Sequence, residues 1–141
     1  MIDAFKKGLY SYITTSSFYN YLTGKLYSDE YPQSTSVVYP NMIYHRVTNS
    51  PTRDSHGYFE PIYIQFNLYT DEDTIVNSKK GNDLMDFLED QFISLMDDAT
   101  FSVTGYGMVK CNRIFTHPLP KDDEERVWGR AIQYLIEIEE V

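Results

Sequence analysis

Three features of the sequence predict an α+β fold, with a mainly antiparallel sheet and two helices packed on one of its faces. They are two stretches with apolar residues at helical spacing, an internal strand that alternates residue by residue, and an alternating strand near the C-terminus. The first helix falls over about residues 2–16, where Ile2, Phe5, Leu9, Tyr12 and Ile13 recur on one face. Ser16, Ser17 and the β-prone Phe18–Leu22 loosen that pattern, and Gly24 breaks it. Short strands are expected at Lys25–Tyr27 and Val37–Tyr39, with the polar, turn-forming SDEYPQSTS between them. Pro40 donates no ladder hydrogen bond and so belongs at a strand start, an edge or a bulge. Met42–Thr48 reads as the next strand and NSPTRDSHG as a loop.

The clearest strand is Ile62–Tyr69. Ile62, Ile64, Phe66 and Leu68 point one way, while Tyr63, Gln65, Asn67 and Tyr69 point the other. One face is therefore expected in the core, and the other is polar but adhesive enough to serve as an oligomer interface. In the second helix, Val76, Leu84, Leu88, Phe92 and Leu95 share a face, widened by Met85, Phe87 and Met96. Asp71, Glu72 and Asp73 precede it, where negative charge suits the helix dipole. Gly81 inside the pattern costs about 1 kcal/mol relative to Ala and marks a kink or a restart. Asp97 and Asp98 stand at the end the dipole disfavours, and the sequence offers no reason for them. Phe101–Val103 and Met108–Phe115 are expected as strand around the turn Gly105-Tyr106-Gly107, and THPLPKDDEER as an exposed link. The last strand, Val127–Ile138, places Trp128, Arg130, Ile132, Tyr134, Ile136 and Ile138 on one face.

Residues 1–141 are the size of one domain. With 42% hydrophobic residues the chain is expected to fold rather than remain disordered. No apolar run approaches the ~20 residues that span a bilayer, and the opening MIDAFKKGLYSYITTSS lacks the apolar stretch and cleavage site of a signal peptide. One cysteine, Cys111, has no internal disulfide partner, which suits a reducing compartment. Thirteen tyrosines are an excess favoured where a surface must be apolar and hydrogen-bonding together. Charge is divided unevenly: residues 1–70 hold five basic and five acidic residues, so the whole net charge of −9 lies in residues 71–141. Such a surface repels phosphate backbones, and no specific grip on nucleic acid is expected.

No constellation of residues points to catalysis, a metal or a cofactor, and the chain is not expected to be an enzyme. Cys111 with one of His45, His56 or His117 would make a thiol dyad, but a small half-buried strand residue explains Cys111 more simply. His56 and His117 fall in polar loops, and no spacing resembles a zinc site. The runs Asp71–Asp73 and Asp122–Glu125 lack the Asp-x-Asp-x-Asp-Gly spacing of a calcium loop. Phosphate loops and nucleophile elbows are absent.

The layout resembles the tail-terminator and tail-completion proteins of long-tailed bacteriophages, also called tail-to-head joining proteins. The resemblance runs over nearly the whole length. It comprises the amphipathic IDAFKKGLYSYI, the Tyr39-Pro40 step before an apolar strand in VVYPNMIYHRV, the alternating EPIYIQFNLYT, the helical DLMDFLEDQFISLM and the closing WGRAIQYLIEIEE. It implies a structural virion protein that forms a ring, typically a homo-hexamer, on the last ring of the tail tube. Such a ring stops tube growth and joins tail to head. The implied partners are copies of itself, the tail-tube protein and a head-completion or connector protein. The implied location is the head–tail junction of the virion, after assembly in the host cytoplasm. DNA would pass through without specific binding, and some of Asp71, Glu72, Asp73, Asp122, Asp123, Glu124 and Glu125 would face the lumen. Three alternatives stay open: a head-completion stopper or other connector ring of the same particle, a small cytosolic enzyme with a dispersed site, and a monomeric binding module.

Overall fold

The structure, a computed structural model, describes residues 2–29, 37–47, 59–124 and 126–140. In chain order these form helix α1 (Ile2–Thr14), a 3-10 turn (Phe18–Tyr21), strands β1 (Leu26–Ser28), β2 (Asn41–Arg46) and β3 (Phe59–Asp71), helix α2 (Gly81–Met96), and strands β4 (Tyr106–Asp122) and β5 (Val127–Glu140). The class is α+β. The five strands lie in the order β1-β2-β3-β5-β4, so β3 is central. β3 pairs antiparallel with β2 and β5, and β4 pairs antiparallel with β5. β1 runs parallel to β2, with Leu26 beside Met42, so the sheet, expected to be mainly antiparallel, is mixed. Twelve residues separate Ser28 from Asn41, the length of connection that parallel pairing needs and a hairpin does not.

Alternation along β3 does what the sequence requires of it: Ile62, Ile64, Phe66 and Leu68 are fully buried. Every fourth residue of α1 (Phe5, Leu9, Ile13) joins the same core, as do Leu84, Met85, Leu88, Phe92 and Met96 of α2. Phe92 meets Phe66 edge-on at 4.8 Å between ring centroids, and Tyr134 of β5 packs near both rings, 6.3 Å from Phe66 and 6.2 Å from Phe92. α1 is held against α2 by the Tyr12 hydroxyl, which donates to the Leu95 carbonyl at 2.8 Å. Gly8 permits the backbone at Ser102 to approach so closely that an added Cβ would collide with the Ser102 carbonyl.

Several element boundaries differ from expectation, each for a local reason. Val37–Tyr39 is not a strand, and pairing begins at Asn41, after the cis Tyr39-Pro40 peptide. Val76 does not open the helix. Val76 and Lys79 exchange backbone hydrogen bonds at 2.9 and 3.0 Å around Asn77 and Ser78, both left-handed at φ 52° and 62°, which is a tight reversal of the hairpin kind. The helix starts at Gly81, whose φ of 61° suits glycine, so the expected restart is the true beginning. Asp71–Asp73 therefore lie a loop away from the helix dipole, and Asp71 instead accepts the Thr74 amide at 2.9 Å. Phe101–Val103 is not strand apart from a bridge between Val103 and Tyr106. Thr116–Arg126, expected as a link, is mostly strand: β4 runs unbroken to Asp122 and turns into β5. The loop NSPTRDSHG, with His56, lies outside the described residues.

Candidate assembly surface

Residues paired directly across an antiparallel ladder share a face, so the register fixes what surrounds Tyr63, Gln65, Asn67 and Tyr69. On β2, Asn41, Ile43 and His45 stand beside Tyr69, Asn67 and Gln65. On β5, Gly129, Ala131, Gln133 and Leu135 stand beside Tyr69, Asn67, Gln65 and Tyr63. On β4, Leu119, His117, Phe115 and Asn112 complete the four rows. None of these residues is Asp, Glu, Lys or Arg. Charge returns only at the ends, with Asp71 and Asp122 flanking Val127 on one side and Lys110 and Glu137 on the other. In a chain of net charge −9, four adjacent strands thus line one face without carboxylates, on which Asn41, Gly129, Ala131 and Gln133 are buried and the four β3 side chains half-buried.

The face is also ordered in advance. Gln65 Nε2 donates to Asn67 Oδ1 at 3.0 Å, and the Asn67 side chain hydrogen-bonds the Tyr69 hydroxyl. Tyr69 lies beside Gly129, where an added Cβ would sit 3.0 Å from its ring edge and from Leu119. Burial raises the Tyr69 hydroxyl above its ordinary pKa. Phe115 and His117 stack at 5.0 Å between ring centroids. All four sequence-predicted residues are half-buried, and their partners on β2, β4 and β5 were invisible without the register. The signal that could have found the β5 partners is the alternation of Ala131, Gln133 and Leu135 with Ile132, Tyr134 and Ile136.

The acidic residues differ in how closely they are held. The Glu72 carboxylate accepts Lys121 Nζ at 2.8 Å and lies 3.6 Å from Arg126, and the Lys121 hydrogen bond holds its carboxyl below the usual range. Asp122 Oδ1 accepts the Glu124 amide at 3.1 Å. Asp73 is exposed, and Asp123 and Glu124 lie exposed at the β4–β5 turn. Glu125 lies outside the described residues.

Asp97, left unexplained by the sequence, is an anchor. The Tyr134 hydroxyl donates to its Oδ1 at 2.6 Å, and Arg113 lies 3.6 Å from its Oδ2. Burial and this carboxylate push the Tyr134 hydroxyl far above its ordinary pKa. Asp98 adopts φ 56° and donates its amide to the Cys111 carbonyl at 3.3 Å, which ties the end of α2 to β4. The buried Cys111 thiol donates to the Met96 carbonyl at 3.2 Å, and burial pushes it up to about 11, which disfavours the thiolate a nucleophile needs. Among the described residues no group of three or more His, Cys, Asp or Glu side chains is placed to hold a metal, and no helix is long and apolar enough to cross a membrane. Compared with protein-family models and with curated proteins, the sequence matches none.

Proposed function

We propose that this chain is a structural ring subunit of the tail-terminator kind, assembling through its sheet and joining a phage tail to its head. The supporting observation is the four-stranded outer face built around Tyr63, Gln65, Asn67 and Tyr69, which lacks charge in an otherwise acidic protein. Both helices are taken to pack on the opposite face, leaving this one to neighbours. Copies with a like net charge approach most easily where neither presents carboxylates. Tyr69, whose hydroxyl is held by Asn67, then buries area at small entropic cost. The acidic remainder suits a passage through which DNA slides without sticking, because like charge disfavours phosphate contact. The particle partners are the tail-tube protein on one ring face and a head-completion protein on the other.

The test is the mass of the purified protein by light scattering, with negative-stain microscopy. Annular particles of several copies are expected. A species of 16.5 kDa at every concentration, with no assembly on added tail tubes, would falsify the ring.

A further inference from the structure

We infer that Met108 is an oxidation site, and that its conversion to the sulfoxide loosens α1 from the rest of the fold. The described methionines are unequally open to an oxidant. Met42, Met85 and Met96 are fully buried, whereas Met108, near the start of β4, is only partly buried. Oxidation follows access, so a peroxide meeting the folded chain reaches this thioether before those three. Cys111, the oxidisable sulfur three residues further on, is buried with its thiol pushed up to about 11, which keeps the reactive thiolate scarce.

The Met108 sulfur is also a hydrogen-bond acceptor, since the Phe101 amide donates to Sδ at 3.0 Å. Phe101–Val103, held at one end by that bond, is where α1 rests. Phe5, Gly8 and Tyr12 form one stripe along the helix, and all three meet this segment. The Phe101 ring lies 6.0 Å from that of Phe5 and stacks on that of Tyr12 at 5.3 Å between centroids. Gly8 faces the Ser102 carbonyl and the Val103 side chain. At its other end the segment is tied by the Tyr106 amide, which donates to the Val103 carbonyl at 2.9 Å. A peroxide transfers one oxygen atom to Sδ: the S–O bond forms as the O–O bond breaks, the thioether gives up two electrons, and the peroxide leaves as water. The sulfur then carries partial positive charge, and an oxygen stands on one of its two lone-pair positions. On either lone pair, the Phe101 amide can no longer keep its contact with Sδ. The polar sulfoxide also fits poorly against the apolar cluster that Met108 packs on. Displacing Phe101 removes support from Phe5 and Tyr12 together. This site is independent of the assembly proposed above.

The test treats the purified protein with dilute hydrogen peroxide, locates added oxygen by tandem mass spectrometry and follows α1 by hydrogen–deuterium exchange. Met108 is expected to gain oxygen before Met42, Met85 and Met96. The α1 amides are then expected to exchange about tenfold faster, the change that loss of one hydrogen bond produces, while those of β3 stay protected. Methionine sulfoxide reductases acting on both epimers are expected to restore the slow exchange. Met108→Leu keeps an apolar side chain of similar volume, and its α1 exchange is expected to be indifferent to peroxide. Met1, outside the described residues, is present in both proteins, so an effect arising there would appear in both. The inference is overturned if the buried methionines oxidise as fast as Met108, or if the sulfoxide leaves α1 exchange unchanged. It is equally overturned if exchange stays fast after the sulfoxide is reduced, or if Met108→Leu responds to peroxide as the parent does.

Discussion

Tyr134 carries more of the fold than its place on an alternating strand announces. Its ring fills the space beside Phe66 and Phe92, and its hydroxyl fixes Asp97 at the end of α2. Tyr134→Phe keeps the ring and removes the hydrogen bond, so a loss of about 1–2 kcal/mol is expected by urea denaturation at neutral pH. The pH dependence has a definite sign. A tyrosine raised in the folded state contributes fully below its unfolded pKa, near 10, and its contribution is lost as pH rises beyond that value, since only the unfolded chain then ionises. Cys111, raised to about 11, adds the same sign of slope from about pH 9 upward. Stability is therefore expected to fall on the alkaline side, and Tyr134→Phe is expected to flatten that fall; an unchanged slope in the variant would assign it to other groups. Phe66, fully buried at the centre of the aromatic cluster, is expected to cost about 3–5 kcal/mol on truncation to Ala, read as a lower denaturation midpoint. An alanine variant that melts like the parent would mean the register of β3 is wrong.

At the scale of elements, β3 and β5 were legible because their alternation is unbroken, and α1 because Phe5, Leu9 and Ile13 keep a four-residue spacing. β4 was legible only over Met108–Phe115, and its continuation to Asp122 was not, for a physical reason: its register with β5 shifts at Met108/Lys110, Arg113/Phe115 and Leu119/Asp122, and each shift resets the two-residue period. The same shifts leave Ile114 exposed at 47%. Pro118 and Pro120 also read as a link, yet β4 is an edge strand, where proline is tolerated because a missing donor leaves no ladder bond unmade. Two prolines on one edge limit its pairing with other strands, a common protection for long edges. Replacing both, as Pro118→Thr with Pro120→Thr, is expected to leave the far-ultraviolet spectrum unchanged and to speed aggregation on standing, followed by light scattering. Aggregation no faster than the parent's would show that the bulges alone protect the edge. The outer face was only half legible for the same cause: Tyr63, Gln65, Asn67 and Tyr69 stand out within one strand, but Phe115, His117 and Leu119 reach it through a register no local pattern reveals.

Across the whole molecule, the division of charge is the property that most constrains what the proposed ring would do. Of the acidic residues expected beside a DNA path, Glu72 is tied to Lys121 and Arg126, and Asp71 to the Thr74 amide. The Glu72 carboxylate braces the base of the β4–β5 turn, while Asp71 holds the loop that follows β3. Asp122, Asp123 and Glu124 stand further out at the turn, with the Asp123 side chain 89% exposed and 3.9 Å from Lys121, and are the ones placed where a passing phosphate backbone would meet them. Reversing all three to lysine leaves the Lys121–Glu72 contact available and adds positive charge beside Lys121 and Arg126. Within a ring, that patch is expected to hold DNA by releasing counterions, an attraction that weakens as salt rises. Assembly is expected to survive, since the turn lies at the end of the uncharged rows of the sheet and not within them. DNA ejection from particles carrying the variant is expected to slow at low salt and to recover toward the parental rate as salt increases. If the turn instead lies on the outer rim, ejection will be unchanged at every salt concentration while the isolated ring still gains affinity for DNA. That pair of results would remove the lumen-facing reading of the turn.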